Sequence, residues 1–345
     1  MRRAAPAIAI SFSVCFAVIL GAAFVGAYSL LPRLRTLPVA NSDSPDPSSA
    51  VKFSLAPPSF LLRLSLFPEG QKHRSLLGVM IENSEEARPY QEGLDRALFV
   101  QEFFVEGFIS RFLVLFDRKD LPPSIGPVRS LRPYFVDASQ PWVGAIVHAG
   151  GSPEAFERAA AFSALQTINV LHFDDEQHPL RRDDVPPPHN LFLSQAAMQE
   201  FVPAETADVS WPPYPTGGLP VSASGASIIR INFLSSLHDV EYNMQPSGAY
   251  RRLNGGVVSP LQPQNILLLE MPITEVGELG RLTIPVEGRG DLLLFRSGYV
   301  IRGTWRKDAE NKGLTFLDAA GRELVFAAGS TWMTVVPEMW RVTWE

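Results

Sequence analysis

The sequence predicts an α+β protein: an N-terminal mixed α/β domain followed by a mostly β second domain, the two preceded by one transmembrane helix. Three observations carry this expectation. No charged residue stands between Arg3 and Arg33, and the apolar span 4–31 exceeds the roughly 20 residues a bilayer-spanning helix needs. Between residues 76 and 201, short runs rich in β-branched and aromatic residues alternate with helix-start signals. From residue 227 onward, short apolar runs recur between Gly and Pro without a helical period.

Taken in order, residues 1–35 read as a transmembrane anchor or signal segment. The N-terminus is expected inside, although Arg2 and Arg3 are nearly balanced by Arg33 and Arg35. The VGA of residues 25–27 also fits a small-residue cleavage site, so an anchored and a released form both stay open. Residues 36–58, rich in Pro, Ser and Asp, read as a flexible tether. Residues 59–201 form the mixed domain. Strands are expected at 76–83, 97–105, 111–116 and 142–147, with helices at 134–139, 152–164 and 195–201. Ser152 is placed to cap the second helix, with Pro153 at its first position and Glu154 near the positive end of its dipole. Residues 202–226 have the composition of a linker. In residues 227–345, strands are expected at 228–233, 266–271, 292–295, 314–317, 323–326 and 332–336, as a sandwich or barrel-like domain.

The 345 residues, 46% of them hydrophobic, suffice for two cores, and a net charge of -6 without a Lys/Arg cluster argues against a nucleic-acid partner. Cys15 is the one cysteine, which excludes an intrachain disulfide and a cysteine-based metal site. The run HFDDEQH at 172–178 holds His172, Asp174, Asp175, Glu176 and His178, but it reads as a solvated charged loop and not as a metal centre. No cofactor is expected.

The candidate site lies at two strand-to-helix junctions, because ligands of open α/β sheets sit at the carboxyl ends of strands. In AIVHAGGSPEAF, His148 ends a strand, Gly150 and Gly151 permit close approach of the backbone, and Ser152 opens a helix whose amides favour an anion. In SIGPVRSLRPYF, Arg129 and Arg132 supply guanidinium forks suited to carboxylate or phosphate, with the Ser130 hydroxyl beside them. Arg129, His148, the Gly150–Gly151 loop and His189 are expected to meet in one solvent-accessible cleft. The same residues admit a structural reading, with a tight Gly-Gly turn, His148 bonded to a backbone carbonyl, and the arginines paired with Glu102, Glu106 or Asp137. A hydrolase reading is the alternative, with His148 or His189 as base, Ser130 or Ser152 as nucleophile and the loop amides as oxyanion hole. No spacing with a built-in mechanism supports it, so no catalytic residue is assigned.

The ordered series GVMIEN, ARPYQEGLDRALFVQEFFVEGFISRFLVLF, IGPVRSLRPYF, VHAGGSPEAF and PHNLF, with GTWRK and GSTWMTVVP downstream, resembles the YerB-like lipoprotein family, an exported bacterial domain of unknown function with a C-terminal companion. The resemblance spans residues 76–337. It implies a two-domain extracytoplasmic protein held at the cell membrane, with no activity to carry over. The motif positions it marks are Glu82, Asn83, Arg88, Glu102, Glu106, Arg111, Arg129, Ser130, Arg132, His148, His189 and Asn190. One departure stands: Val14 precedes Cys15 where a lipid-attachment motif takes a small residue, so a transmembrane anchor is expected in place of a lipid. The expected function is a ligand- or partner-binding module of the cell envelope that recognises an envelope protein or an anionic envelope ligand.

Overall fold

The computed structural model describes residues 72–173, 180–203, 208–219, 224–277, 280–310 and 312–345. All of them belong to one compact unit, 63–345. The expected anchor at 4–31 and tether at 36–58 lie outside the described residues, and so does most of the 172–178 run. Among the described residues no helix is long and apolar enough to cross a membrane.

The fold is mostly strand. Five longer strands come from the first half: β1 (Lys72–Glu82), β2 (Phe99–Phe104), β3 (Ser110–Asp117), β4 (Ala145–His148) and β5 (Gln166–Asn169). The largely apolar, buried runs of β1 to β4 reflect burial on both faces. Three short helices accompany them, α1 (Pro133–Ser139), α2 (Pro153–Ala160) and α3 (Gln195–Phe201). At α2 the local signals act as read: the Ser152 hydroxyl accepts from the Ala155 amide at 3.3 Å, and Pro153 occupies the first turn. The helix ends at Ala160, short of residue 164, because the chain turns back there to place Gln166 against the Gly144 carbonyl.

The second half contributes β6 (Ile228–Ile231), β7 (Val240–Met244), β8 (Tyr250–Asn254), β9 (Asn265–Glu270), β10 (Gly288–Arg296), β11 (Tyr299–Lys307), β12 (Thr315–Asp318), β13 (Thr331–Val336) and β14 (Val342–Trp344). Its helical content among the described residues is one 3-10 turn, Met339–Arg341. Residues 323–326, expected as a strand, are joined to neighbours only by isolated bridges at Glu323 and Phe326.

These strands do not keep to a sheet of their own. One 12-stranded sheet runs β12-β11-β10-β9-β13-β2-β3-β1-β4-β5, with Asp208–Trp211 added beside β1 and Ser224–Gly225 beside β11. The joint is β13, which pairs in parallel with β9 on one side and with β2 on the other, Glu102 standing opposite Thr334. A five-stranded sheet of Val257–Val258, β8, β7, β6 and β14 is the second layer. The stretch expected to link the halves is itself packed. Trp211 and Tyr214 are buried, and both stand edge-on or tilted against the Phe99 ring.

Side chains alternate across a strand, so the register assigns faces. Glu82 and Phe103 both stand opposite Arg111, which puts these three on one face. Glu102 opposite Phe112 and Phe104 opposite Ser110 define the other. The first face is covered by α1, with Tyr134 and Phe135 at 5.4 and 5.1 Å from the Phe103 ring. The other is covered by the five-stranded sheet, from which Arg252 lies 4.2 Å over the Trp332 ring.

Candidate functional site

β1 and β2 each run antiparallel to β3, and β4 and β5 run parallel to β1, so the carboxyl ends of β1, β2, β4 and β5 share one edge of the sheet. The two junction loops meet there. Ala149 donates its amide to the Arg129 carbonyl, Leu131 to the Gly150 carbonyl and Ser152 to the Leu131 carbonyl, while Arg129 is held to β1 by the Met80 carbonyl.

Three arginines gather around this seam. Arg132 grips Glu106 with two bonds, Nε to Oε1 at 2.6 Å and Nη2 to Oε2 at 2.9 Å. Burial raises the Glu106 carboxyl, but the Arg132 bonds and a backbone amide outweigh it and hold the group below the usual carboxylate range. Arg129 Nε lies 2.9 Å from Glu82 Oε2, and His189 Nδ1 lies 3.0 Å from the same oxygen. These are ion-pair distances, yet none of the three atoms makes a hydrogen bond of acceptable geometry, although all are buried. Arg111, from the first residues of β3, is only 8% exposed. Its Nη1 donates to the Ser130 carbonyl at 2.7 Å, and among the described residues no carboxylate lies within ion-pair distance of it. Burial, reinforced by the neighbouring Arg132, pushes this guanidinium down to about 10, which leaves it charged at neutral pH.

The glycine loop is arranged differently from the expectation. His148 is 1% exposed, and its Nδ1–H donates to the Gly150 carbonyl at 2.8 Å, so the ring faces no cleft. Burial also lowers its pKa, which keeps the ring neutral. The Gly150 amide donates to Asn169 Oδ1 at 2.9 Å, and the amides of residues 131, 149 and 152 serve the seam, so none of these four faces an oxyanion. The Ser130 hydroxyl donates to the Ala149 carbonyl and that of Ser152 caps α2. Neither serine is bonded to a histidine among the described residues, and no nucleophile–base pair results. Asn190 is a latch, accepting from Arg181 Nη1 at 2.9 Å and donating to the Arg182 carbonyl. No group of three His, Cys, Asp or Glu side chains fit for a metal ion occurs among the described residues.

The remaining candidates join a second polar cluster on the opposite face. Glu102 is fully buried and accepts four bonds: from Ser110 Oγ at 2.7 Å, Arg252 Nη2 at 2.8 Å, Trp332 Nε1 at 2.8 Å and Thr334 Oγ1 at 2.9 Å. Asn83 donates to Ser110 Oγ and to Asn254 Oδ1. Arg88 reaches the Leu237 and Asn254 carbonyls and the His238 ring. The sequence reading missed Arg252, Asn254 and Thr334. Its one available signal was the pair of polar residues, Arg252 and Asn254, at inward positions of β8, which reads as a surface until the partner layer is known.

Residues 65–209 match the N-terminal domain, and residues 229–333 the C-terminal domain, of the family described as "Protein of unknown function (DUF3048)". The chain is 31% identical over 279 residues to the "Putative lipoprotein YerB" of Bacillus subtilis (strain 168), covering 77% of this chain and 82% of that protein. The crystal structure of the YerB protein from Bacillus subtilis superposes with a TM-score of 0.67 at 30% identity, over 79% of this chain and 93% of that one.

Proposed function

The chain belongs to the DUF3048 family of proteins of unknown function, and we propose that it is a membrane-anchored extracytoplasmic protein of the bacterial cell envelope that binds an anionic group at its arginine cluster. The apolar span 4–31 and the relative's description as a lipoprotein support the location. Arg111 carries the binding reading. It is a nine-tenths-buried cation between Arg129 and Arg132 with no carboxylate of its own among the described residues, and a buried charge without a counter-ion is costly unless something supplies one. An arriving oxyanion supplies it, and the guanidinium fork sets its orientation.

Titrating the full-length protein with acetate or dimethyl phosphate tests this. Arg111→Gln is expected to weaken binding roughly ten- to hundredfold, the worth of about 1.5–3 kcal/mol for a bond to a charged group, while the thermal midpoint stays near that of the parent. Unchanged affinity, or a collapse of stability without any anion effect, overturns the reading. For the anchor the measurement is fractionation: full-length chain recovered in the soluble fraction with an intact N-terminus rules it out.

A further inference from the structure

The surface beside the arginine cluster is apolar. Phe156 on α2 is 41% exposed and Leu171 is 51% exposed. Both border the glycine pair. A Cβ placed at Gly150 would lie 3.6 Å from Leu171 Cδ1 and 3.7 Å from Ser130 Oγ, and one at Gly151 would lie 3.0 Å from the Phe156 ring. Gly150 thus leaves a notch with hydrocarbon on one side and, on the other, Ser130, which follows Arg129 and whose carbonyl holds Arg111. Scattered exposed apolar side chains are ordinary. These two border adjacent glycines, and the Ser130 side chain beside Gly150 belongs to the residue whose carbonyl accepts from Arg111.

The charge count narrows the head group. Arg111, Arg129 and Arg132 contribute three positive charges and Glu82 and Glu106 two negative ones, which leaves one in excess. We propose, on the anion-binding reading above, that the ligand is amphiphilic: a singly charged oxyanion, carboxylate or phosphodiester, held by the arginines, with an alkyl chain laid across Gly150 onto Phe156 and Leu171. The guanidinium forks give orientation, and the chain removes the exposed hydrocarbon from water. A side chain at residue 150 would occupy the notch the alkyl chain needs. Gly150 has φ +71, so the absence of a Cβ also lets the backbone make this turn without strain.

The test compares short and long members of two series on full-length protein in a neutral detergent: acetate with hexanoate, and dimethyl phosphate with dibutyl phosphate. Full burial of a methylene is worth roughly fourfold in affinity, so a partly covered chain should bind about tenfold tighter than its short parent. A gain in either series supports the proposal and identifies the head group. The double variant F156S/L171N should erase the chain-length gain while acetate or dimethyl phosphate still binds. Short anions bound with no gain from the chain would overturn the amphiphile and leave the anion site standing. Equal binding of hexanol, indifferent to Arg111→Gln, would overturn it as well. Failure of every anion to bind, with Arg111→Gln silent, would remove the anion site and the proposal together.

Discussion

Glu102 and Glu82 lie on strands that both flank β3, one facing the five-stranded sheet and the other the helical layer. Both are almost fully buried and both meet arginine. Around Glu102 the donors are saturated, with four bonds between 2.7 and 2.9 Å, and Arg252 is further held by the Trp332 and Phe112 rings. Around Glu82, the Arg129 guanidinium and the His189 ring approach one oxygen without a bond of good geometry, while Arg129 keeps a side-chain exposure of 30%. Buried charge with every donor filled ties the two halves of the molecule together. Charge that is close but unsatisfied, at an edge open to solvent, is where the proposed anion site lies. Residue type does not separate the two, since both clusters pair arginine with a glutamate of the same 12-stranded sheet.

The largest expected effect breaks the sealed pair. Arg252→Ala or Glu102→Ala leaves an uncompensated buried charge and should cost about 3–5 kcal/mol in denaturant unfolding, whereas the double variant E102Q/R252M should recover much of it. A single-variant loss below about 1 kcal/mol would mean that water reaches this pair, and the contrast with the edge cluster would fail.

A smaller effect is expected at the edge itself. The Cβ of Gly150→Ala has room, but φ +71 strains any L side chain, so a loss of about 1–2 kcal/mol should follow from backbone strain alone. At Gly126 a Cβ would fall 2.4 Å from the Phe192 ring, so Gly126→Ala should cost more. Thermal melts of the two variants decide the order, and the reverse order would show the Gly150 turn to be more tightly packed than the structure has it.

The smallest expected effect lies in pH dependence. Burial holds the folded His148 pKa below its ordinary value, with His172 adding to the depression against the Gly150 bond. The unfolded chain binds this proton near about 6.5, so the contribution to stability is complete above that pH and is lost as pH falls toward the lowered folded value. His148→Gln should flatten the stability profile below about pH 6.5 relative to the parent. Parallel profiles for parent and variant would show the ring to be solvated, as a cleft histidine would be.

Local signals made several elements legible in the sequence. Apolar runs at 76–83, 97–105, 111–116 and 332–336 became β1, β2, β3 and β13, and Ser152-Pro153-Glu154 opened α2, because each depends on neighbours a few residues away. The ordered motifs were likewise enough to indicate the family. The strands β7 and β8 were not legible. In β8 the inward positions include Arg252 and Asn254, buried polar side chains that break the apolar alternation by which a half-buried strand is recognised. Their partners lie far along the chain, 150 residues away for Arg252 and 171 for Asn254. Tertiary structure alone placed β13 between β9 and β2, sealed His148 against Gly150, and sent Glu102 to the interior while bringing Glu82 to the arginines. Alternation along a strand tells which residues share a face, but which layer covers that face, and whether a charge there meets a saturated partner or an open edge, depends on contacts between segments that no local pattern encodes.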